Sequence, residues 1–357
     1  VVCPKGLLEE WDRTVALQPV LGTLIISSAA HVVFPYHRLL DSLEEEARGK
    51  NKIGTTHRGI GPAYQDKVAR MGIRMGEFVD PELFPERLRT VLNVKNQYLS
   101  MFGKEPLDYD SLLAEYSAYA DRIRPFVKDI ESLVANTVES GAKVLFEGAQ
   151  GAFLDLDSGT YPYVTSSHPV AGGACLGTGI GPRHINYVLG VCKTYTTRVG
   201  DGPFPTELNN ELGDHIRTIG KEFGTTTGRG RRIGWLDLVA LRHSARINSL
   251  SGLVVTRLDI LSDFETIQVA TKYILDGKEI DYVPSDSTTL SRVQPVFETL
   301  EGWSGDLRGA RKWSDLPPQA QAYLNRMAEF TKTPVAIVSV GPDRAETIIV
   351  DEKLIWG

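Results

Sequence analysis

Short apolar runs alternating with helix-period segments constrain the fold of this chain more than any other feature. Residues 253–258 (LVVTRL) and 334–340 (PVAIVSV) are too short for buried helices and rich in the β-branched residues that strands favour. Residues 24–27 (LIIS), 143–146 (KVLF, expected to be a buried strand) and most of 187–199 read the same way. Between these runs lie helical patterns over residues 38–48, 81–102, 110–140, 210–223, 235–248 and 317–331. In residues 110–140, Leu113, Tyr116, Ala120, Ile123, Val127, Ile130 and Val134 recur at helical spacing, and Pro125 should bend or split the element. Residues 51–64 are glycine-rich and polar and read as a loop, and residues 267–282 read as a hairpin turning at Asp276-Gly277. The alternation predicts an α/β fold, a mainly parallel sheet covered by helices on both faces, with helical and hairpin excursions. No repeat or linker interrupts it, so a single domain over residues 1–357 is expected.

Composition narrows the function. A net charge of -6 argues against nucleic-acid or membrane-surface binding, which calls for a basic face. Cys3, Cys175 and Cys192 are few and widely spaced, which disfavours a disulfide framework and points to a reducing, cytoplasmic setting. No cysteine pair has zinc spacing, no His-Glu-x-x-His pattern occurs, and no apolar run is long enough to cross a bilayer.

On this acidic molecule residues 224–235 (GTTTGRGRRIGW) stand out. Threonine hydroxyls and backbone amides offer neutral donors, and Arg229, Arg231 and Arg232 offer paired charged donors that fit carboxylates and phosphates. Glycine lets the backbone approach a ligand closely. Such a loop suits a small anion with more than one acidic group. Three further segments sit where ligands collect in α/β sheets, beyond the carboxyl ends of strands: residues 147–151 (EGAQG), 257–259 (RLD) and 339–343 (SVGPD). The Gln150 amide can both donate to and accept from a purine edge, and the Asp259 carboxylate can accept two parallel N–H bonds from a guanine-like edge. The long polar loop over residues 159–173 also has the character of a binding segment.

Taken together, FEGAQG (146–151), DSGTYPYVTSS (157–167), GDGPFPTE (200–207), GTTTGRGRR (224–232), GPDRAET (341–347), GTTHRGIGPAY (54–64) and DKVAR (66–70) resemble the adenylosuccinate synthase family over nearly the whole chain. The resemblance implies a P-loop-NTPase-like fold and a GTP- and magnesium-dependent ligase joining inosine monophosphate (IMP) to L-aspartate in AMP biosynthesis. By that resemblance Thr56, Arg70, Gln150, Thr165 and Arg229 would hold IMP, with Arg70 reaching across a homodimer interface and Gln150 assisting the chemistry. Thr225, Thr226, Thr227, Gly228, Arg229, Gly230 and Arg231 would hold aspartate. Arg231, Arg257, Leu258, Asp259, Ser339, Val340 and Gly341 would face GTP, although the family commonly has lysine at the position of Arg257.

The family's lysine-containing phosphate loop, with its catalytic aspartate, and the later segment with its catalytic histidine have no counterpart here. The expectation is therefore an N-terminally incomplete domain, without synthase activity as given, whose acid, base and most magnesium ligands lie outside the sequence. A shortened non-catalytic purine-nucleotide-binding relative and a ligase for another purine acceptor are the alternatives.

Overall fold

A computed structural model describes residues 1–18, 22–224, 228 and 230–356. They group into two compact units, one made of Val1–Glu147, Thr165–Ser167 and Cys175–Ile180, the other of Gly148–Val164, His168–Ala174 and Gly181–Gly357.

The first unit contains α1 (Pro4–Leu17), β1 (Ile26–Ser27), α2 (Pro35–Ala47), α3 (Ile60–Val68), α4 (Met75–Phe78), α5 (Leu83–Met101), α6 (Tyr109–Ile123), β2 (Val127–Lys128) and α7 (Ile130–Glu139). Its core is aromatic: Phe34 stacks on Tyr36, Phe84 and Tyr116 and meets the edge of Phe78. Pro125 splits the long helical pattern as expected, because its ring cannot continue the hydrogen-bond ladder. The chain passes through a single tight turn into β2, which pairs in parallel with β1. Two expectations are corrected. Residues 60–64 are not loop but the first turns of α3, where Pro62 needs no amide partner and Gly59 supplies the left-handed entry at φ 76°. Residues 143–146 form no strand, and Leu145 is 88% exposed; no described strand pairs with this run, so its apolar character alone does not bury it.

After α8 (Gly172–Thr178), the second unit runs β3 (Leu189–Lys193), β4 (Thr196–Arg198), α9 (Glu211–Ile219), β5 (Arg232–Gly234), β6 (Leu236–Asp237), α10 (Leu238–Asn248) and β7 (Gly252–Thr256). It continues with β8 (Thr266–Leu275), β9 (Lys278–Ile280), α11 (Ser287–Leu290), β10 (Gln294–Glu301), α12 (Pro318–Thr331), β11 (Val335–Ser339), β12 (Thr347–Ile349) and α13 (Lys353–Trp356). One sheet has the order β12-β11-β7-β3: β11, β7 and β3 are parallel, and β12 is an antiparallel edge. Leu253, Val255 and Val338 point into a core shared with Tyr323, Leu324 and Met327 of α12. β3 is the opposite edge, and its Val191 is 74% exposed.

A second sheet, β10-β8-β6 with β9 on β8, holds the expected hairpin. Asp276 and Gly277 both take positive φ at its turn, as a two-residue hairpin loop requires. The helix expected over residues 235–248 begins three residues late, because Leu236–Asp237 pair with β8 first and the Asp237 side chain then caps α10. The fold is a mixed α/β architecture with a parallel sheet section, flanking helices and no closed barrel.

Candidate active site

The parallel register of β3, β7 and β11 brings three strand ends side by side, carrying Lys193-Thr194-Tyr195, Arg257-Leu258-Asp259 and Ser339-Val340-Gly341. The Thr194 hydroxyl donates to the Arg257 carbonyl at 2.8 Å, and the Tyr323 hydroxyl donates to the Thr194 carbonyl at 2.5 Å. Arg257 turns the chain in a left-handed conformation, φ 67°, so that Leu258 enters the core and Asp259 stays partly open. The Asp259 Oδ1 is buried and has no hydrogen-bond partner. Burial raises the Asp259 pKa, against its own backbone amide and the charges of Arg257 and Arg308. Asp259 borders a cavity of about 420 Å³ with His215, Ser262 and Phe264, and the Ser262 hydroxyl is likewise buried without a partner. On the adjacent strand end the Ser339 hydroxyl donates to the Gly341 carbonyl at 2.8 Å, and Glu346 ties the turn by accepting from Val340 through its carbonyl and from Asp343 through its carboxylate. The grouping of residues 257–259 with 339–341 is therefore as the strand pattern predicts.

At the end of β3, Lys193 Nζ reaches Glu222 Oε1 at 2.7 Å, the Tyr195 hydroxyl donates to the same oxygen at 2.6 Å, and Arg231 donates to Oε2 at 2.5 Å. Glu222 has a fully buried side chain. Burial alone would raise its pKa, but the bonds from Lys193 and Tyr195, the Lys193 charge and the bond from Arg231 outweigh it and hold the group below the usual carboxylate range. Sequence reasoning missed Glu222 and Lys193, because nothing in Lys221-Glu222-Phe223 marks that carboxylate as buried.

Arg232, next to Arg231, is spent on structure. It forks onto both Glu207 oxygens at 2.6 and 2.5 Å and donates to the Gly202 carbonyl at 2.9 Å. Arg198, also missed, donates to the Asp201 carbonyl at 2.8 Å, the Thr160 hydroxyl at 3.1 Å and the Tyr163 carbonyl at 3.2 Å, holding the 157–164 loop. Burial, then the Arg232 charge, lower its pKa to about 10. Gln150 is exposed in a left-handed turn at φ 61°. Gly228 is exposed at φ 64°, its amide bonded to the Gly224 carbonyl at 2.7 Å, and Gly230 bridges to Phe223. Thr225, Thr226, Thr227 and Arg229 lie outside the described residues.

Thr56, Arg70 and Thr165 belong to the first unit. Thr56 is exposed in a loop held at both ends by buried carboxylates of α2. Glu45 accepts from the Gly54 amide at 2.6 Å and Asp41 from the Gly59 amide at 2.8 Å. Thr165 is half-buried in the 165–167 segment, whose Ser166 hydroxyl lies beside Gly61 at the start of α3. Arg70 is exposed just past the end of α3, at φ 62°. Beneath these residues Asp66 of α3 receives Lys95 and His37, all three buried. The Phe34 amide donates to His37 Nδ1 at 2.9 Å, which places the imidazole proton on Nε2, toward Asp66 at 2.9 Å. Among the described residues no group of three or more His, Cys, Asp or Glu could hold a metal ion. No described helix is long and apolar enough to cross a membrane.

The Adenylosuccinate synthetase family model matches residues 1–348. The chain belongs to the adenylosuccinate synthetase family. It is 54% identical over 353 residues to the adenylosuccinate synthetase of Carboxydothermus hydrogenoformans and 49% identical over 354 residues to that of Clostridium novyi, covering 99% of this chain and 83% of each relative. The fully ligated adenylosuccinate synthetase of Plasmodium falciparum superposes with a TM-score of 0.91 at 35% identity, over 98% of this chain and 83% of that one. A cyanophage S-2L succinoaminodeoxyadenylate synthetase, bound to dGMP and dATP, shares the fold at a TM-score of 0.56 and 16% identity, over 99% of this chain and 76% of that one. Adenylosuccinate synthetases are ligases.

Proposed function

We propose that this adenylosuccinate synthetase joins IMP to L-aspartate at the expense of GTP, over one functional domain spanning residues 1–357. The γ-phosphoryl of GTP passes to the 6-oxygen of IMP and turns a poor leaving group into a good one. The aspartate amine then attacks carbon 6, and phosphate leaves, giving adenylosuccinate, GDP and phosphate. Phosphoryl transfer depends on positioning and on stabilising negative charge.

In this reading Asp259 accepts from the donor edge of guanine, with Arg257, Leu258, Ser339, Val340 and Gly341 lining that end of the site. Arg231 and Gly230, with residues 225–229, hold the aspartate carboxylates, and Arg231 also faces GTP. Thr56, Gln150, Thr165 and Arg229 hold IMP, and Arg70 serves the partner's site in a homodimer. One observation supports this most directly: at the ends of β7 and β3, a buried carboxylate oxygen of Asp259 without a partner lies one strand from the Lys193–Glu222–Arg231 cluster. A site for a purine donor edge beside a site for carboxylates is what the reaction needs.

The test is adenylosuccinate formation by the full natural protein, with IMP and dGMP competing as acceptors. Strong preference for IMP and dependence on aspartate support the reading; preference for dGMP would overturn it. Arg231→Leu should raise the aspartate KM by about tenfold or more while moving the IMP KM by less than about threefold.

A further inference from the structure

The loop proposed to bind aspartate is anchored by a single buried carboxylate. The Arg231 amide donates to the Glu222 carbonyl at 2.9 Å, and the Arg231 guanidinium donates to the Glu222 carboxylate at 2.5 Å. Phe223 bridges to Gly230 one residue further in, so Glu222 and Arg231 close the base of the 224–230 loop. Arg217 of α9 donates through Nε to the Arg231 carbonyl at 2.8 Å and fixes the outgoing leg. The second carboxylate oxygen of Glu222 is taken by Lys193 and Tyr195, which stand on the β3 end. Glu222 therefore joins the loop base to the sheet. Two cations, Lys193 and Arg231, share this one carboxylate, which leaves one positive charge in excess at the mouth of the loop.

We infer that Glu222 is a positioning residue for the amino-acid substrate: it sets the guanidinium of Arg231, and with it the loop base, in the orientation that receives a substrate carboxylate. Glu222 does not touch substrate itself. Its side chain is fully buried, and both its oxygens are already engaged by protein donors. The inference rests on the proposed reaction and extends it to a residue outside the motif loops.

Glu222→Gln keeps the shape and one acceptor oxygen. With that oxygen left to Lys193 and Tyr195, the amide nitrogen faces Arg231 donor to donor. In the full natural protein, E222Q should raise the aspartate KM by about tenfold or more, raise the GTP KM by less because Arg231 also faces GTP, and leave the IMP KM within about twofold. Glu222→Asp keeps the charge but draws it back by one methylene, and should give a smaller rise, greatest for aspartate and absent for IMP. It carries the same test if E222Q does not fold. In an Arg231→Leu background, E222Q should change the aspartate KM by less than about twofold, because the residue it acts through is gone. Equal rises for all three substrates, or full multiplicative effects of the two substitutions, would overturn the inference. A wild-type protein that forms no adenylosuccinate overturns the functional reading and this inference with it. A working wild type whose aspartate KM is unmoved by E222Q overturns the inference alone.

Discussion

Replacing Asp237 by asparagine should make the protein relatively more stable as pH rises, the reverse of what loss of a typical paired carboxylate does. Asp237 is buried where β6 passes into α10, accepting from the Tyr273 hydroxyl at 2.6 Å and from the Ala240 amide at 2.9 Å. Burial raises its pKa from 3.8 to about 6, against the lowering effect of Tyr273 and of the Ala240 and Val239 amides. Between these values the native protein holds a proton that the unfolded chain has released. Fewer protons are bound in the unfolded state, so stability falls as pH rises through the window. At ~1.4 kcal/mol per pH unit, a rise from 3.8 to about 6 corresponds to a loss of about 3 kcal/mol. Asparagine binds no proton there, keeps an acceptor for the Ala240 amide, and lets the Tyr273 hydroxyl turn from donor to acceptor. Urea unfolding of wild type and Asp237→Asn, run in parallel from about pH 4 to about pH 7, should show the mutant gaining about 2 kcal/mol on wild type, the part of the full effect that falls in that range, because all other carboxylates cancel in the comparison. A difference that stays constant to within about 0.5 kcal/mol over that range would refute the reasoning.

Asp66→Asn should destabilise the first unit by about 3–5 kcal/mol in urea unfolding, since it leaves the Lys95 ammonium buried without a counter-charge. Gly59→Ala should cost about 2 kcal/mol or more in the same assay, because φ is 76° and the new methyl carbon would lie 2.8 Å from the Arg38 amide nitrogen. Gly341→Ala would drive a methyl group against the Glu346 carboxylate and loosen the turn that Glu346 holds through the Asp343 amide. Steady-state kinetics should show a higher KM for GTP in that variant and an unchanged KM for IMP.

The parallel strands were legible because β7 and β11 bury one face and half-bury the other, and so read as mostly apolar runs rich in β-branched residues. The break at Pro125 and the Asp276-Gly277 turn follow from local chemistry and were equally plain. β10 was missed although it pairs with β8 along its whole length, since residues 294–301 mix apolar and acidic side chains and owe their conformation to the partner strand. Residues 143–146 failed in the opposite direction, apolar enough for a strand but with no described strand beside them. In the site, residues 257–259 and 339–341 were visible because their position follows from the sheet, whereas residues 147–151, expected at a strand end as well, follow no strand. Glu222, Lys193 and Arg198 were not, because the burial of a charged side chain depends on donors distant in sequence, 29 residues away in the case of Lys193 and Glu222. The arginine-rich segment also hid a division of labour: Arg231 and Arg232 are neighbours, but Arg232 is committed to Glu207.

β3 borders its sheet with one flank of backbone amides and carbonyls unladdered among the described strands, and Val191 faces outward from it. A bare strand margin of this kind is a template for any extended peptide that meets it, including another molecule of the same chain. An extended segment laid along that margin, from the same protein or another, would complete the ladder of backbone hydrogen bonds.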